Sequence, residues 1–274
     1  MINRYTTRTL VLEVVLWVLA VLLVLPLLAL VNVSFKAAHD PSGAFEIAKA
    51  YTFDNYVRAW QEAKMGAAAG NSVIVALTSV VIVLVICALA AYPLARVGSR
   101  WSRGAFYLFL LGLVIPAQLG LLPLLISIRD IGLYGTISGV ILANVGGCIP
   151  FSLFLTTTFL RDVPMEYEEA ASLDGCGPLR IFWYVIVPLL RPALGTAAVL
   201  ALIPIWNNFL MPLLVLAGTG NETLPVRIAG FARAYFADWS AVFAALVISA
   251  TPILIGYFAL QKYVIQGFAG GLKG

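Results

Sequence analysis

The sequence predicts an all-α membrane protein: six transmembrane helices in a single domain over residues 1–274, with a polar helix in the loop between the fourth and fifth spans. Three observations carry that prediction. Of the 274 residues, 62% are hydrophobic and only 11% charged, where soluble domains carry roughly 25% charged residues; the mean hydropathy is +0.98. Apolar runs of about 20 residues recur, each long enough to cross a bilayer as a helix. One stretch, 164–192, breaks the pattern and holds Glu166, Glu168, Glu169 and Asp174, four of the 13 acidic residues.

The spans are placed at about 10–32, 72–94, 105–128, 138–160, 192–216 and 241–260. The first follows Arg4 and Arg8 and is too long for the apolar core of a signal peptide, so it is kept as a span. Every run is continuously apolar rather than alternating, which favours helices over a barrel. Between the first two spans, 34–71 is mixed and polar, with a short amphipathic helix expected near 53–64.

Loop charges set the orientation. With the N-terminus in the cytoplasm, the inner segments hold Arg4, Arg8, Arg96, Arg100, Arg103, Arg161, Arg180, Arg191, Lys262 and Lys273, which is 10 of the 17 basic residues. The short loop at 95–104 carries three arginines and the short outer loop at 129–137 carries one. Basic residues concentrate on the cytoplasmic side, so both termini and the polar island are expected there. The net charge of +4 is explained by these span-flanking residues, and no nucleic acid partner is expected.

Across the expected spans the only ionisable side chain is Glu13, one turn into the first. Charges inside membranes mark proton relays and ion pathways, so this interior argues against an ion-coupled carrier. It holds neutral polar groups instead: Gln118, Asn144, Ser152, Thr156, Asn207, Asn208, Ser249 and Thr251. Such groups can hydrogen-bond an uncharged polyhydroxylated solute, and they can equally bridge helices. Asn207 and Asn208, after Trp206 at mid-span, stand out as solute-path candidates, with Gln118 and Asn144. Pro116, Pro123, Pro150, Pro204, Pro212 and Pro252 interrupt spans, each removing a backbone donor.

Other chemistry is thinly represented. Cys87, Cys148 and Cys176 lack the spacing of a disulfide framework or zinc site, and the single histidine, His39, is expected as a solvated loop residue. No GxxxxGK[ST] phosphate loop occurs, so the chain is not expected to hold a nucleotide. No paired carboxylates or nucleophile–base constellation lies within the spans, so no catalytic residue, metal or cofactor is assigned.

The polar island has the grammar of a helix, a hinge and a second helix. Pro164 suits a first helical turn, and Glu166, Glu168 and Glu169 follow where the helix dipole favours negative charge. Gly175 can close the helix in a left-handed conformation. Gly177 and Pro178 suit the start of a second helix through Leu179–Leu189, outside the bilayer. Small Ala170 and Ala171 allow close approach, and the glutamates can contact arginines of a partner. On these residues alone, a docking helix and a solvated amphipathic loop fit equally.

The spacing Glu169-Ala170-Ala171, Gly175, Val185, Val187-Pro188 resembles the cytoplasmic Glu-Ala-Ala signature of ABC importer permeases, with valine at both aliphatic positions. Asp174-Gly175, Asp54-Asn55-Tyr56, Asn71-Ser72, Ala91-Tyr92-Pro93-Leu94-Ala95-Arg96, Pro116 with Pro123, Trp206-Asn207-Asn208-Phe209 and the tail Gln261 to Gly274 are similar to the carbohydrate subgroup, in particular the shorter maltose-type permease. The resemblance implies a type I importer permease of a bacterial, binding-protein-dependent system for sugars or polyols. It implies a second homologous permease, an ATPase dimer that binds the ATP, and an extracytoplasmic solute-binding protein as partners. It also implies that a coupling helix at about 164–175 meets an ATPase through Glu166, Glu169, Ala170, Ala171, Asp174, Gly175 and Pro188. A permease for amino acids or peptides is the near alternative, and a stand-alone secondary carrier the distant one.

Overall fold

The structure, a computed structural model, describes residues 6–38, 40–235 and 238–271. His39, Arg4, Lys273 and the last residues of the tail therefore lie outside the described residues. In chain order the helices are α1 (Thr7–Ser34), α2 (Asp54–Glu62), α3 (Met65–Arg96), α4 (Arg100–Val114), α5 (Leu121–Asp130), α6 (Ile137–Asp162), α7 (Glu166–Leu173), α8 (Pro178–Ile181), α9 (Val187–Trp206), α10 (Leu210–Leu216), α11 (Leu224–Ala234) and α12 (Trp239–Gly271). A 3₁₀ turn, Ala117–Gly120, leads into α5, and a π-helical turn, Phe182–Ile186, joins α8 to α9. Among the described residues the only β pairing is an isolated bridge between Lys36 and Tyr51. Among the described residues five helices are long and apolar enough to cross a membrane, or six with α4 and α5 taken as one bent span.

Two expected spans need correction. The third, 105–128, is not one rod: α4 stops at Val114, and the segment Gln118–Asp130 leaves at 94° to it. The cause is local. Proline disfavours the helical region for the residue before it, and Ile115, ahead of Pro116, is extended at φ −75°, ψ 120°. The fifth, 192–216, begins much earlier and ends sooner. Pro178–Trp206 runs through α8, the π turn and α9, and the chain breaks at 207–209 before α10. Leu179–Leu189 is thus the start of the long helix, not a separate external helix. Pro188 cannot donate to the Tyr184 carbonyl and its ring crowds it; the wider turn just before it, with the Val187 N–H bonded to the Phe182 carbonyl, accommodates that mismatch. Helix α12 extends past the expected 241–260, and α11 occupies a segment for which no helix was expected. The short outer helix expected near 53–64 is α2.

Packing divides the chain into two units. One comprises 1–66 and 227–251. Here the segment between α1 and α2 is tied down by polar contacts. The Lys36 ammonium, buried, donates to Ser42 Oγ at 2.7 Å and to the Gly43 carbonyl at 2.6 Å. Asn55 Nδ2 donates to the carbonyls of Ser34 (2.9 Å) and Lys36 (2.6 Å). Arg58 pairs with Asp238 at 2.6 Å, and that hydrogen bond raises the guanidinium pKa above its ordinary value.

The other unit comprises 67–226 and 252–274. Helices α3, α4 and α6 meet around Val83, Cys87, Phe106 and Leu153. Lipid is as apolar as leucine, so such helices associate through close fit and small residues; buried Ala88 and Ala91 on α3 serve that role. Gly139, in the first turn of α6, sits so close to the Leu133 carbonyl that a Cβ would lie 2.5 Å from that oxygen. A second apolar cluster, Leu160, Ile181, Phe182, Ile186 and Leu190, lies beneath the polar island.

Candidate functional site

The polar island folds as local rules dictate. Helix α7 carries Glu166, Glu168 and Glu169 in its first turn. Its end is a Schellman motif: Gly175 N–H donates to the Ser172 carbonyl and Cys176 N–H to the Ala171 carbonyl, both at 3.0 Å. Gly175 takes φ +82°, a conformation that glycine adopts without the steric cost of a Cβ. Gly177 then caps α8, with Pro178 at its first position.

The helix has two distinct faces. Residues three and four apart lie on one side. Glu168 and Ala171 face inward: Ala171 packs on the apolar cluster below, and Glu168 accepts two hydrogen bonds. Arg96 Nε donates to Glu168 Oε1 at 2.6 Å and Tyr92 Oη to Glu168 Oε2 at 2.9 Å. The same guanidinium donates to the Val163 carbonyl at 2.9 Å. Arg161 runs the opposite way, donating to the Leu94 carbonyl at 3.2 Å with its guanidinium 4.3 Å from the Phe106 ring centroid. Glu166, Glu169, Ala170 and Leu173 form the exposed face, Leu173 being 89% accessible. Asp174 and Gly175 are exposed at the helix end, and Pro188 is half-buried in the first turn of α9. Grouping Glu168 with the partner-facing glutamates is therefore corrected: its charge is spent inside this chain. In the sequence Arg96 reads as a loop charge and as part of a motif; its contact with Glu168 lies 72 positions along the chain.

The two chain breaks create the second feature. Beside α6, the 3₁₀ turn after Pro116 and the gap after α9 leave a cavity of about 360 Å³, lined by Gln118, Asn144 and Asn208 among apolar groups. Among the described residues no acidic or basic side chain lines it. Asn208 Nδ2 donates to Asn144 Oδ1 at 2.8 Å, and Asn208 Oδ1 accepts the Met211 N–H at 3.3 Å, closing the turn into α10. Asn144 Nδ2 is buried and has no hydrogen-bond partner among the described residues. Asn207 does not join them. It is exposed at the end of α9, its side chain donating to the Ile203 carbonyl at 3.1 Å. Thr156 and Thr251 bond carbonyls of their own helices, Ser152 and Val247. No cluster of three or more histidine, cysteine or acidic side chains suited to a metal ion occurs among the described residues.

Long apolar helices broken around a neutral polar cavity, with a short acidic helix pinned at one end by a buried ion pair, are the parts of a multi-pass membrane transport subunit. Residues 84–269 match the family described as binding-protein-dependent transport system inner membrane component, and the chain belongs to that family. It is 32% identical to the diacetylchitobiose uptake system permease protein of Streptomyces coelicolor, over 94% of this chain and 85% of that protein. It is likewise 32% identical to the melibiose/raffinose/stachyose import permease protein of Bacillus subtilis (90% of each chain) and to the trehalose transport system permease protein of Mycobacterium tuberculosis (91% and 92%). A chain from the crystal structure of a bacterial ABC transporter importing the acidic polysaccharide alginate matches with a TM-score of 0.82 at 24% identity, covering 94% of this chain and 98% of that one. The fold is that of an ABC importer permease, in line with the resemblance carried by the Glu-Ala-Ala spacing.

Proposed function

We propose that this chain is a permease subunit of an ATP-driven, binding-protein-dependent importer for neutral sugars or related polyols. It forms half of the translocation path with a second, homologous permease. ATP is bound and hydrolysed on two separate ATPase subunits in the cytoplasm, and a solute-binding protein delivers its cargo from outside. Both chain termini lie in the cytoplasm, following the arginine bias of the short loops.

One observation supports the coupling role above the others: α7 keeps one face fastened to its own chain through Glu168 and Ala171 while Glu166, Glu169 and Ala170 stay exposed on the opposite face. A solvated loop helix needs no such fastening. The exposed carboxylates suit arginines of an ATPase cleft, where charge-assisted hydrogen bonds are about twice as strong as neutral ones. The sugar reading draws on the cargo named for the relatives and on the cavity, whose amides can bind hydroxyls and which offers no charge to an acid or amine. The test is affinity purification of this chain from its native membrane followed by reconstitution with ATP and a panel of labelled neutral oligosaccharides, polyols and amino acids. Copurification of an ATPase with ATP-dependent uptake of a neutral sugar is expected. Uptake without ATP by the chain alone would assign it to the secondary carriers, and uptake of amino acids only would overturn the sugar class.

A further inference from the structure

Resting on that reading, we propose that Arg96 and Glu168 form a strap that carries the motion of α7 directly into α3. The covalent chain attaches α7 only to α6, through 163–165, and to the long helix that begins at Pro178. Helix α3 has no covalent neighbour there. Its last turn reaches the island through Arg96, whose guanidinium holds the Glu168 carboxylate at 2.6 Å and the Val163 carbonyl at 2.9 Å. One side chain thus grips both α7 and the segment leading into it. Tyr92, one turn earlier on α3, takes the second carboxylate oxygen.

The strap is stiff for three reasons. Both side chains are largely enclosed, 8% and 12% exposed, so the pair is weakly screened and a lone partner would be left as an uncompensated charge. The guanidinium is planar with donors in fixed directions, and here it spends them on two acceptors at once. Arg161 reinforces the joint from the other side by donating from the end of α6 to the Leu94 carbonyl of α3. A push on the exposed face of α7 therefore displaces α3 together with α6 and α9. Arg96 is a positioning residue: it acts through α7 and touches neither solute nor nucleotide.

The experiment uses the assembled importer in proteoliposomes, with spin labels at Val97, just past α3, and at Tyr184, on the π turn. Both positions are exposed and lie outside the strap. Distances are measured without nucleotide and with ATP plus vanadate. With the strap intact, one narrow Val97–Tyr184 distance is expected in both states, because the two sites move as one body. In Arg96→Ala the distance should shift with ATP–vanadate and its distribution broaden, with copurified ATPase at the unmodified level. Arg96→Lys, which keeps a cationic donor beside Glu168, should give a distance distribution narrower than that of Arg96→Ala. If Arg96→Ala does not assemble, Glu168→Gln, which keeps the shape and removes the charge, provides the same measurement. An unchanged narrow distance in the variant, a state-dependent shift already present in the unmodified complex, or an Arg96→Lys distribution as broad as that of Arg96→Ala would each overturn the strap. Loss of the ATPase from Glu168→Gln would also overturn it, since the pair would then serve docking. Absence of any ATPase from the unmodified complex is a different result and refutes the importer reading itself.

Discussion

Asn208 Nδ2 donates to Asn144 Oδ1 across 2.8 Å, while Asn144 Nδ2 is buried with no hydrogen-bond partner among the described residues. The pair is therefore asymmetric. Asn208 has spent both ends of its side chain, on Asn144 and on the Met211 backbone. Asn144 keeps the two N–H donors of its Nδ2 in hand beside a cavity of about 360 Å³.

That asymmetry separates two variants. Asn208→Leu strands the buried Asn144 carbonyl oxygen and should destabilise the assembled complex by about 1–3 kcal/mol, read as a lower melting midpoint in detergent. Asn144→Ala removes the unpartnered donors and should reduce solute uptake more than it reduces assembly. Asn207→Leu, on an exposed side chain bonded to its own helix, should leave both measurements close to unmodified. Strong loss of uptake in Asn207→Leu alone would contradict this division of roles.

At the island, Gly175→Val forces a β-branched residue into φ +82°. The left-handed region costs roughly 1–2 kcal/mol for a residue with a Cβ, and more for a branched one, so the Schellman turn should open. Membrane insertion should persist, since no span is touched, while uptake falls. Protease protection of the spans and transport by the same preparation check both halves of this expectation.

Glu169→Lys reverses an exposed charge on the outward face of α7. Charged hydrogen bonds contribute about 1.5–3 kcal/mol, so ATPase affinity should fall by roughly tenfold or more. Titrating the ATPase against the immobilised permease measures it. Affinity that stays unchanged would remove Glu169 from the docking surface.

Gly139→Ala addresses the fold alone. Its Cβ would meet the Leu133 carbonyl at 2.5 Å, and a backbone oxygen cannot step aside as a side-chain tip can. A loss of about 1–3 kcal/mol is expected from overpacking of this kind, seen as a lower melting midpoint and less complex recovered from membranes. The exposed Gly98, with open space around its Cβ position, is the control and should tolerate alanine.

These sites differ in how far the amino-acid sequence reveals them. Gly175, Gly177 and Pro178 were legible because each obeys a rule spanning two or three residues: a left-handed cap, an N-cap and a proline that needs no donor. The first, second, fourth and sixth apolar spans were legible because length and composition alone decide them. Glu168 was not. It neighbours Glu169, and one step along a helix turns a side chain by about 100°, so only the position of Arg96 reveals which glutamate faces inward. The break at Asn207–Phe209 was hidden for the opposite reason. The apolar run continues through it into α10, so hydropathy placed both asparagines mid-span, and only the polar contacts of Asn208 show where the helix ends. Pro116 gave a usable signal, since the extended Ile115 follows from the rule for residues preceding proline.

The π turn at Phe182–Ile186 has a mechanical meaning beyond absorbing Pro188. A helix transmits rotation as well as displacement, and a wide turn sets the angular phase between its two ends. Here it fixes the dial setting at which Pro178, and with it the island, leaves the membrane helix. Restoring ordinary winding there with the number of residues unchanged, as Pro188→Ala would permit, would wheel the island by about 100° around the axis, carrying Glu168 away from Arg96 and aiming the Glu169 face elsewhere. The five residues of the turn act as the keyway that clocks the external helix against the bundle it drives.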